Sequence, residues 1–397
     1  MSTETEAPRP PFLRAIGVEN FKAIRKSGMV RLAPLTVFIG NNGSGKSSLI
    51  EAARTYQRLL LEGVDAAFAD VLGFEHVRNK WLLTEYKEFR RSAAIWLRFK
   101  AKFAGTLGDY DAMVAVNADP SGNRVFIEEE TIELRNSLSF DRSTTESTLA
   151  LARANPGKSM AREWLGAAPF VGFVERWQFM LLNPDVMGKP RAKRRTGGRL
   201  ALAPDGGNLA EVLLDLAERS PGAFDGVVEA MGFVLPYAAE IQAKLADDLE
   251  RRAFLELVER SSEGRNFRVP GWLFSTGTLR VLAILALLRD PDPPPVIFIE
   301  ELENGLDPRT IGLLIEEIRR AVKAKRTQII ATTHSPYLLD QLLFEHVVVV
   351  ERNEQGHPEF WRPEDERALD VWARDFSIGQ IYTMGQLHRE PKPKGRA

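Results

Sequence analysis

Residues Gly40 to Ser47 read GNNGSGKS, a match to G-x-x-x-x-G-K-[ST]. Glycines at 40, 43 and 45 let the backbone N–H groups of the loop, through Asn41, Asn42 and Ser44, wrap a phosphate. The helix that starts at Ser47 and Ser48 adds its positive dipole end. Lys46 is placed to reach the β/γ-phosphates of a nucleoside triphosphate, and Ser47 to put its hydroxyl on Mg²⁺. A glycine-rich turn with a chance lysine is the bland alternative. The match lies directly between LTVFI, a strand pattern, and SSLIEAA, a helical one, and that context favours the phosphate loop.

Residues 296 to 308, VIFIEELENGLDP, run an apolar strand into Glu300, Glu301 and Glu303. Like charges this close repel unless a cation is near. A carboxylate at the end of a second apolar strand takes the Mg²⁺ shell in a phosphate-loop protein, and that position here is Glu300. Glu301, one residue on, is placed to orient or deprotonate the attacking water. Glu303 and Asp307 fit equally well an acidic loop capping the next helix.

Two further stretches carry chemistry. FSTGTLR, Phe274 to Arg280, sets Ser275 and Gly277 just before a helical pattern, which makes a second anion site. An ordinary Ser/Thr helix cap would read the same. One nucleotide does not need two such sites from one chain, so Ser275 and Gly277 are expected to face a nucleotide held by a second subunit. TQIIATTHS ends a strand at His334, where a neutral imidazole could bridge the γ-phosphate and the attacking water.

The elements that must hold these residues are legible in outline. FLRAIGV, GMVRL and LTVFIG read as three strands opening a sheet, and Ser47 to Leu61 as a helix that Gly63 can end. Residues 93 to 135 read as antiparallel hairpins, 136 to 165 as a variable insertion or mobile loop, and 208 to 260 as largely helical. After an irregular connector come a helix over Thr278 to Leu288, the strand VIFI, the helix IGLLIEEIRRAVKA, and the strands TQIIAT and HVVVVE. Alternating strand and helix implies a mostly parallel sheet with side lobes.

Composition narrows the classes. The 397 residues suit one large α/β unit with an inserted lobe, or two domains. With 53 Lys+Arg against 54 Asp+Glu there is no global field for nucleic acid, so any such contact must be a local patch. The absence of cysteine removes disulfides, thiolate metal sites and cysteine nucleophiles. The polar, proline-rich start is unlike a signal peptide, and no apolar run is long enough to span a bilayer, so a soluble, cytoplasmic protein without membrane partners is expected.

GNNGSGKS, FSTGTLR, VIFIEELENGLDP and ATTHSP, in chain positions rising from 40 to 336, resemble the Walker A, signature, Walker B with D-loop, and H-loop of ABC-type ATPases. More narrowly they resemble the branch that holds the RecF, SMC and overcoming-lysogenization-defect proteins. The stretches IGVENFKAIRKSGMVRLAPLTVFIG and PDGGNLAEVL are similar to that group too. The resemblance implies an α/β P-loop NTPase, an ABC-ATPase head, with a mostly parallel sheet, an antiparallel β lobe and an inserted helical lobe. Its expected division is 1–135, 136–270 and 271–397. It implies ATP and Mg²⁺ as cofactors, a homodimer that sandwiches two nucleotides, and hydrolysis that opens the dimer. A separate effector, a nuclease or toxin, in anti-phage defence or DNA repair is the expected partner.

The chain departs from the family pattern at Glu300, where Asp is more frequent, at Leu302, where Pro is common, and at Asp307, where His is common. Gln178 is the best candidate for a Q-loop glutamine. The 63 residues after His334 are too few for an appended TOPRIM nuclease domain. A basic run over 189–199 offers Lys189, Arg191, Lys193, Arg194, Arg195 and Arg199 either to DNA phosphates, without sequence preference, or to solvent. Two other function classes fit less well: a transport ATPase subunit, and a monomeric P-loop kinase, for which FSTGTLR would be superfluous.

Overall fold

A computed structural model of the chain describes residues 11–69, 71, 73–81, 94–103, 108–119, 124–134, 138–142, 153–193, 200–247, 250–260 and 265–389. The strands in the first half are β1 (Phe12–Phe21), β2 (Ile24–Arg31), β3 (Leu35–Ile39), β4 (Ile95–Lys102), β5 (Asp109–Ala118), β6 (Val125–Leu134), β7 (Leu138–Asp141) and β8 (Gln178–Met180). Those in the second are β9 (Arg191–Ala192), β10 (Ala238–Leu245), β11 (Arg252–Arg260), β12 (Asn266–Pro270), β13 (Val296–Ile299), β14 (Gln328–Thr332), β15 (Val347–Arg352) and β16 (Pro358–Trp361). The longer helices are α1 (Lys46–Leu61), α2 (Ala168–Glu175), α3 (Leu209–Arg219), α4 (Pro221–Val234), α5 (Thr276–Arg289) and α6 (Pro308–Lys323).

Two compact units form, 1–177 with 330–336 and 342–397, and 178–329 with 337–341. Segments from either side of residue 135 therefore share the first unit, and segments from either side of residue 270 share the second.

In the first unit an antiparallel sheet runs β2-β1-β4-β5-β6-β7. β4 shows why it forms: Ile95, Leu97, Phe99 and Ala101 are buried while the residues between them face outward, the period of two that a half-buried strand requires. Ile16 of β1 lies opposite Val30 on one side and Phe99 on the other. The strands β16, β15 and β3 make a second layer, β15 parallel to β3 and antiparallel to β16. The expectation that the first three strands open one sheet is thus corrected. β1 and β2 belong to the antiparallel lobe, whereas β3, buried at all five positions and apolar at all but Thr36, takes the central place that such a strand suits.

Helix α1 lays Leu49, Ala53, Tyr56 and Leu60 into the first unit's core. Tyr56 stacks on Phe99 at 4.2 Å between ring centres and meets Phe170 of α2 edge-on, contacts worth about 1 kcal/mol each beyond area burial. Gln57 donates to the carbonyls of Val174 (2.8 Å) and Trp177 (2.9 Å), so the end of α2 is tied to the helix that carries Lys46.

Further along the antiparallel lobe, buried Glu130 accepts from the Ser159 hydroxyl and the Met160 N–H and lies 3.6 Å from Arg142. Arg142 also donates to the carbonyls of Lys158 (2.7 Å) and Pro156 (3.2 Å), clamping that segment onto β6. Burial pushes the Glu130 carboxyl above its usual range, and these donors oppose the shift. Truncating one partner of such a pair leaves the other charge buried. Arg142→Ala is therefore expected to cost about 3 kcal/mol of stability, read as a fall in the denaturant midpoint; an unchanged midpoint would show the clamp to be idle.

In the second unit β13 and β8 pair in parallel, and Phe179 stacks on Phe298 at 4.5 Å between their rings. Gln328, at the start of β14, donates its N–H to Pro295 just ahead of β13. The strand β14 continues into the first unit, where the Thr333 N–H after it reaches Phe38 of β3 at 3.0 Å. Helix α5 is buried continuously from Thr278 to Leu288. By contrast α6 is amphipathic, with Ile311, Leu314, Ile315 and Ile318 inward.

The helical reading of 208–260 holds only to Val234. Residues Ala238–Leu245 and Arg252–Arg260 form an antiparallel hairpin, extended by β12 within the stretch read as a connector. Ala, Leu, Glu and Lys favour a helix intrinsically. In β11, however, Ala253, Leu255 and Leu257 are buried while Phe254, Glu256 and Val258 are only half-buried, a period of two, and cross-strand partners outweigh that preference. Likewise β7 and short turns of helix occupy part of 136–165.

Candidate functional site

Each unit carries its own share of the candidate residues. In the first, β3 delivers the chain to Gly40, whose backbone packs against β15. A Cβ at Gly40 would sit 2.1 Å from the Val350 carbonyl oxygen, so only glycine fits there. The loop then turns through Asn41, Asn42 and Gly43, with the Ser44 N–H donating to the Asn41 carbonyl at 3.1 Å. Gly45 precedes α1, and Lys46 opens it. The Lys46 ammonium is buried inside the loop and donates to the carbonyls of Gly40 (2.7 Å) and Asn41 (3.0 Å). Ser47 is exposed on the first turn, whereas Ser48 is buried.

One atom in this loop bears on ligand fit. Among the described residues the Ser44 Oγ is buried without a hydrogen-bond partner, a polar group that an anion lying in the loop would satisfy. Together with the start of a 16-residue helix and the lysine, the donor set suits a polyphosphate.

His334 belongs to the same unit. It follows β14, and the Thr333–Phe38 hydrogen bond sets it beside the strand that feeds the phosphate loop. Sequence reasoning missed Arg352, at the end of β15, which donates through Nε (3.0 Å) and Nη2 (2.6 Å) to the Gly43 carbonyl and braces the loop. Arg352 also lines a recess with Lys22, His76, Arg78, Lys80 and Trp81. No spacing in the sequence could have linked residues 43 and 352.

In the second unit β13 ends at Ile299, and Glu300 follows with its N–H toward the Met180 carbonyl at 3.4 Å. Glu301 is exposed and adopts φ +48, a left-handed backbone unusual for a residue with a side chain. Leu302, fully buried, pins the turn. The Glu301 carbonyl accepts the Asn304 N–H at 2.9 Å, and its carboxylate accepts the Asn304 side-chain amide at 3.2 Å.

Asp307 caps α6, taking the N–H groups of Arg309 and Thr310 and the Thr310 hydroxyl. The hydroxyl first, then these N–H groups, holds its carboxyl below the usual range. Its capping contribution is therefore complete above about pH 4, the unfolded value, and fades as pH falls through the lower folded one.

Ser275 caps α5 by accepting the Thr278 N–H at 3.1 Å. A Cβ on Gly277 would lie 2.5 Å from the Gly305 carbonyl, so FSTG and the turn after Glu301 are packed together in one chain. Both residues thus have work within their own unit, whatever they meet in a second copy. Arg280, the last residue of FSTGTLR, reaches the carbonyls of Glu300 and Glu301. Gln178 donates its amide to the carbonyls of Leu202 (2.8 Å) and Phe179 (3.2 Å) from a buried position on β8. Of the basic run, Lys189 and Arg191 are exposed and Lys193 pairs with Glu218 at 3.3 Å, while Arg194, Arg195 and Arg199 lie outside the described residues.

The phosphate loop that follows β3, in a mixed α/β fold of several sheets, fits the fold of a P-loop ATPase head of the ABC type. The chain belongs to the family described as AAA domain, putative AbiEii toxin, Type IV TA system, which matches residues 35–340. Its fold is that of the ABC-type ATPase heads of the SMC/RecF-like group.

Among solved structures it is similar to an Smc head bound to the C-terminal winged-helix domain of ScpA. That match has 14% identity and TM-score 0.55, and covers 90% of this chain and 99% of that one. It is also similar to an Smc head with an extended coiled coil bound to the C-terminal domain of ScpA, derived from Pyrococcus furiosus. Here identity is 12% and TM-score 0.51, with 92% and 99% covered. At these identities the likeness concerns the fold. No curated protein matches the sequence. Among the described residues no helix is long and apolar enough to cross a membrane.

Proposed function

We propose that the protein binds and hydrolyses ATP with Mg²⁺, pairs with a second copy across two nucleotides, and acts as a switch on a separate partner. The observation that carries this reading is the phosphate loop, with buried Lys46, the orphaned Ser44 hydroxyl and Ser47 exposed on the first turn of α1. Gly40, Asn41, Asn42, Gly43, Gly45 and Ser48 shape the cradle. Lys46 would hold the β/γ-phosphates, Ser47 and Glu300 would be the ligands offered to Mg²⁺, Glu301 would activate water, and His334 would read the γ-phosphate. When bound there, Mg²⁺ would supply charge to stabilise a transferring phosphoryl group. Ser275 and Gly277 complete the site of the second copy.

A mixing experiment tests the pairing. Lys46→Ala disables one chain's own phosphate loop, and Ser275→Arg disables the surface it offers to a partner. Each alone is expected to be inactive. Their mixture is expected to recover about a quarter of the wild-type rate, because half the dimers are mixed and each has one intact composite site. No recovery at any mixing ratio would sink the trans arrangement.

The solved heads bound to ScpA domains support a protein partner, and an effector nuclease or toxin in phage defence or DNA repair is the reading we favour. The basic run is proposed as a sequence-independent DNA contact. Neutralising Lys189, Arg191, Lys193, Arg194, Arg195 and Arg199 is expected to weaken DNA binding and flatten its dependence on salt. Unchanged binding would dismiss the patch.

A further inference from the structure

We propose that Arg280 is a positioning residue for the water-activating carboxylate, tying the helix capped by Ser275 to the backbone of Glu300 and Glu301 in the same chain. The proposal rests on the role given above to Glu301. Arg280 lies in the second turn of α5, a helix buried and apolar from Val281 to Leu288, and is itself only 4% exposed. Its Nη2 donates to the Glu301 carbonyl at 2.8 Å and to the Glu300 carbonyl at 3.2 Å. Its Nε is buried with no hydrogen-bond partner among the described residues.

A buried guanidinium with an unmet donor is a costly way to fill space, since an aliphatic side chain of similar volume would pack there at least as well. What the arginine adds is a grip on the turn. Glu301 stands at φ +48, a left-handed conformation that is strained for a side-chain-bearing residue. Its carbonyl is held by Arg280 and by the Asn304 N–H together. The direction of the carboxylate follows from that backbone. Because Arg280 rides on the helix that Ser275 caps and Gly277 packs against Gly305, a shift of this helix on meeting a nucleotide would reach Glu301 through one side chain.

The test compares Arg280→Lys and Arg280→Gln with wild type, each also in a Glu301→Gln background, by single-turnover and steady-state ATP hydrolysis. The expected result is a fall in kcat of about tenfold or more for both single variants, since small displacements of a reacting group have effects of this size. KM, nucleotide affinity and the thermal midpoint of the lysine variant should stay near wild type. On the Glu301→Gln background neither change should lower the rate further. Full kcat in both variants overturns the proposal. So does a loss that recurs undiminished without the Glu301 carboxylate, or one that merely tracks lost thermal stability. A wild-type rate for Glu301→Gln alone would instead remove Glu301 from the chemistry, and Arg280 with it.

Discussion

Glu301→Gln is expected to lower kcat for ATP hydrolysis by about 10²- to 10⁴-fold while leaving ATP affinity within a few-fold. The substitution keeps the shape of the side chain and its oxygen, so the Asn304 amide still has an acceptor and the turn pinned by Leu302 is undisturbed. What is lost is the capacity to take a proton from water. ATP-bound chains that do not turn over should accumulate as dimers, visible by sedimentation with ATP and absent with ADP. Hydrolysis at the wild-type rate would remove the role assigned to Glu301. The neighbouring Glu300→Gln separates the two carboxylates: its defect should be partly relieved by raised Mg²⁺, because a metal ligand and not a base has been weakened.

Lys46→Ala is expected to reduce ATP affinity by about a hundredfold or more. Charge-assisted hydrogen bonds contribute about 1.5–3 kcal/mol each, and the variant would forgo those from the ammonium, held in the loop by the Gly40 and Asn41 carbonyls, to the phosphates. Removing it loosens the loop and deletes the charge that would meet the β/γ-phosphates. Lys46→Arg should bind poorly as well, because a planar fork cannot replace a point charge in so tight a turn. Binding of a fluorescent ATP analogue, read alongside thermal unfolding, checks this: affinity should fall far more than stability. Wild-type affinity in the alanine variant would place the phosphates elsewhere.

The sequence by itself determined the chemistry proposed for this protein. GNNGSGKS is a contiguous stretch whose function depends on local backbone freedom, and VIFI followed by two glutamates needs only a strand and its end. Such signals survive in one dimension because the atoms that act are neighbours in the chain. The same holds for the helix from Lys46, for α5 and α6, and for the ATPase-head class itself.

Tertiary structure decided the rest. Whether LTVFI joins the strands before it or lies beside residues some three hundred positions away is a choice among partners, and the fully buried β3 pairs with β15. Residues 238–260 carry helix-favouring composition, yet they form a hairpin because cross-strand neighbours outweigh intrinsic preference. The supports of the site, Arg352 on Gly43, Arg280 on Glu301 and Gly277 against Gly305, join residues 309, 21 and 28 positions apart. No local pattern encodes such pairs. They arise when packing brings a buried donor to a carbonyl that must be satisfied, and folding alone settles which carbonyl that is.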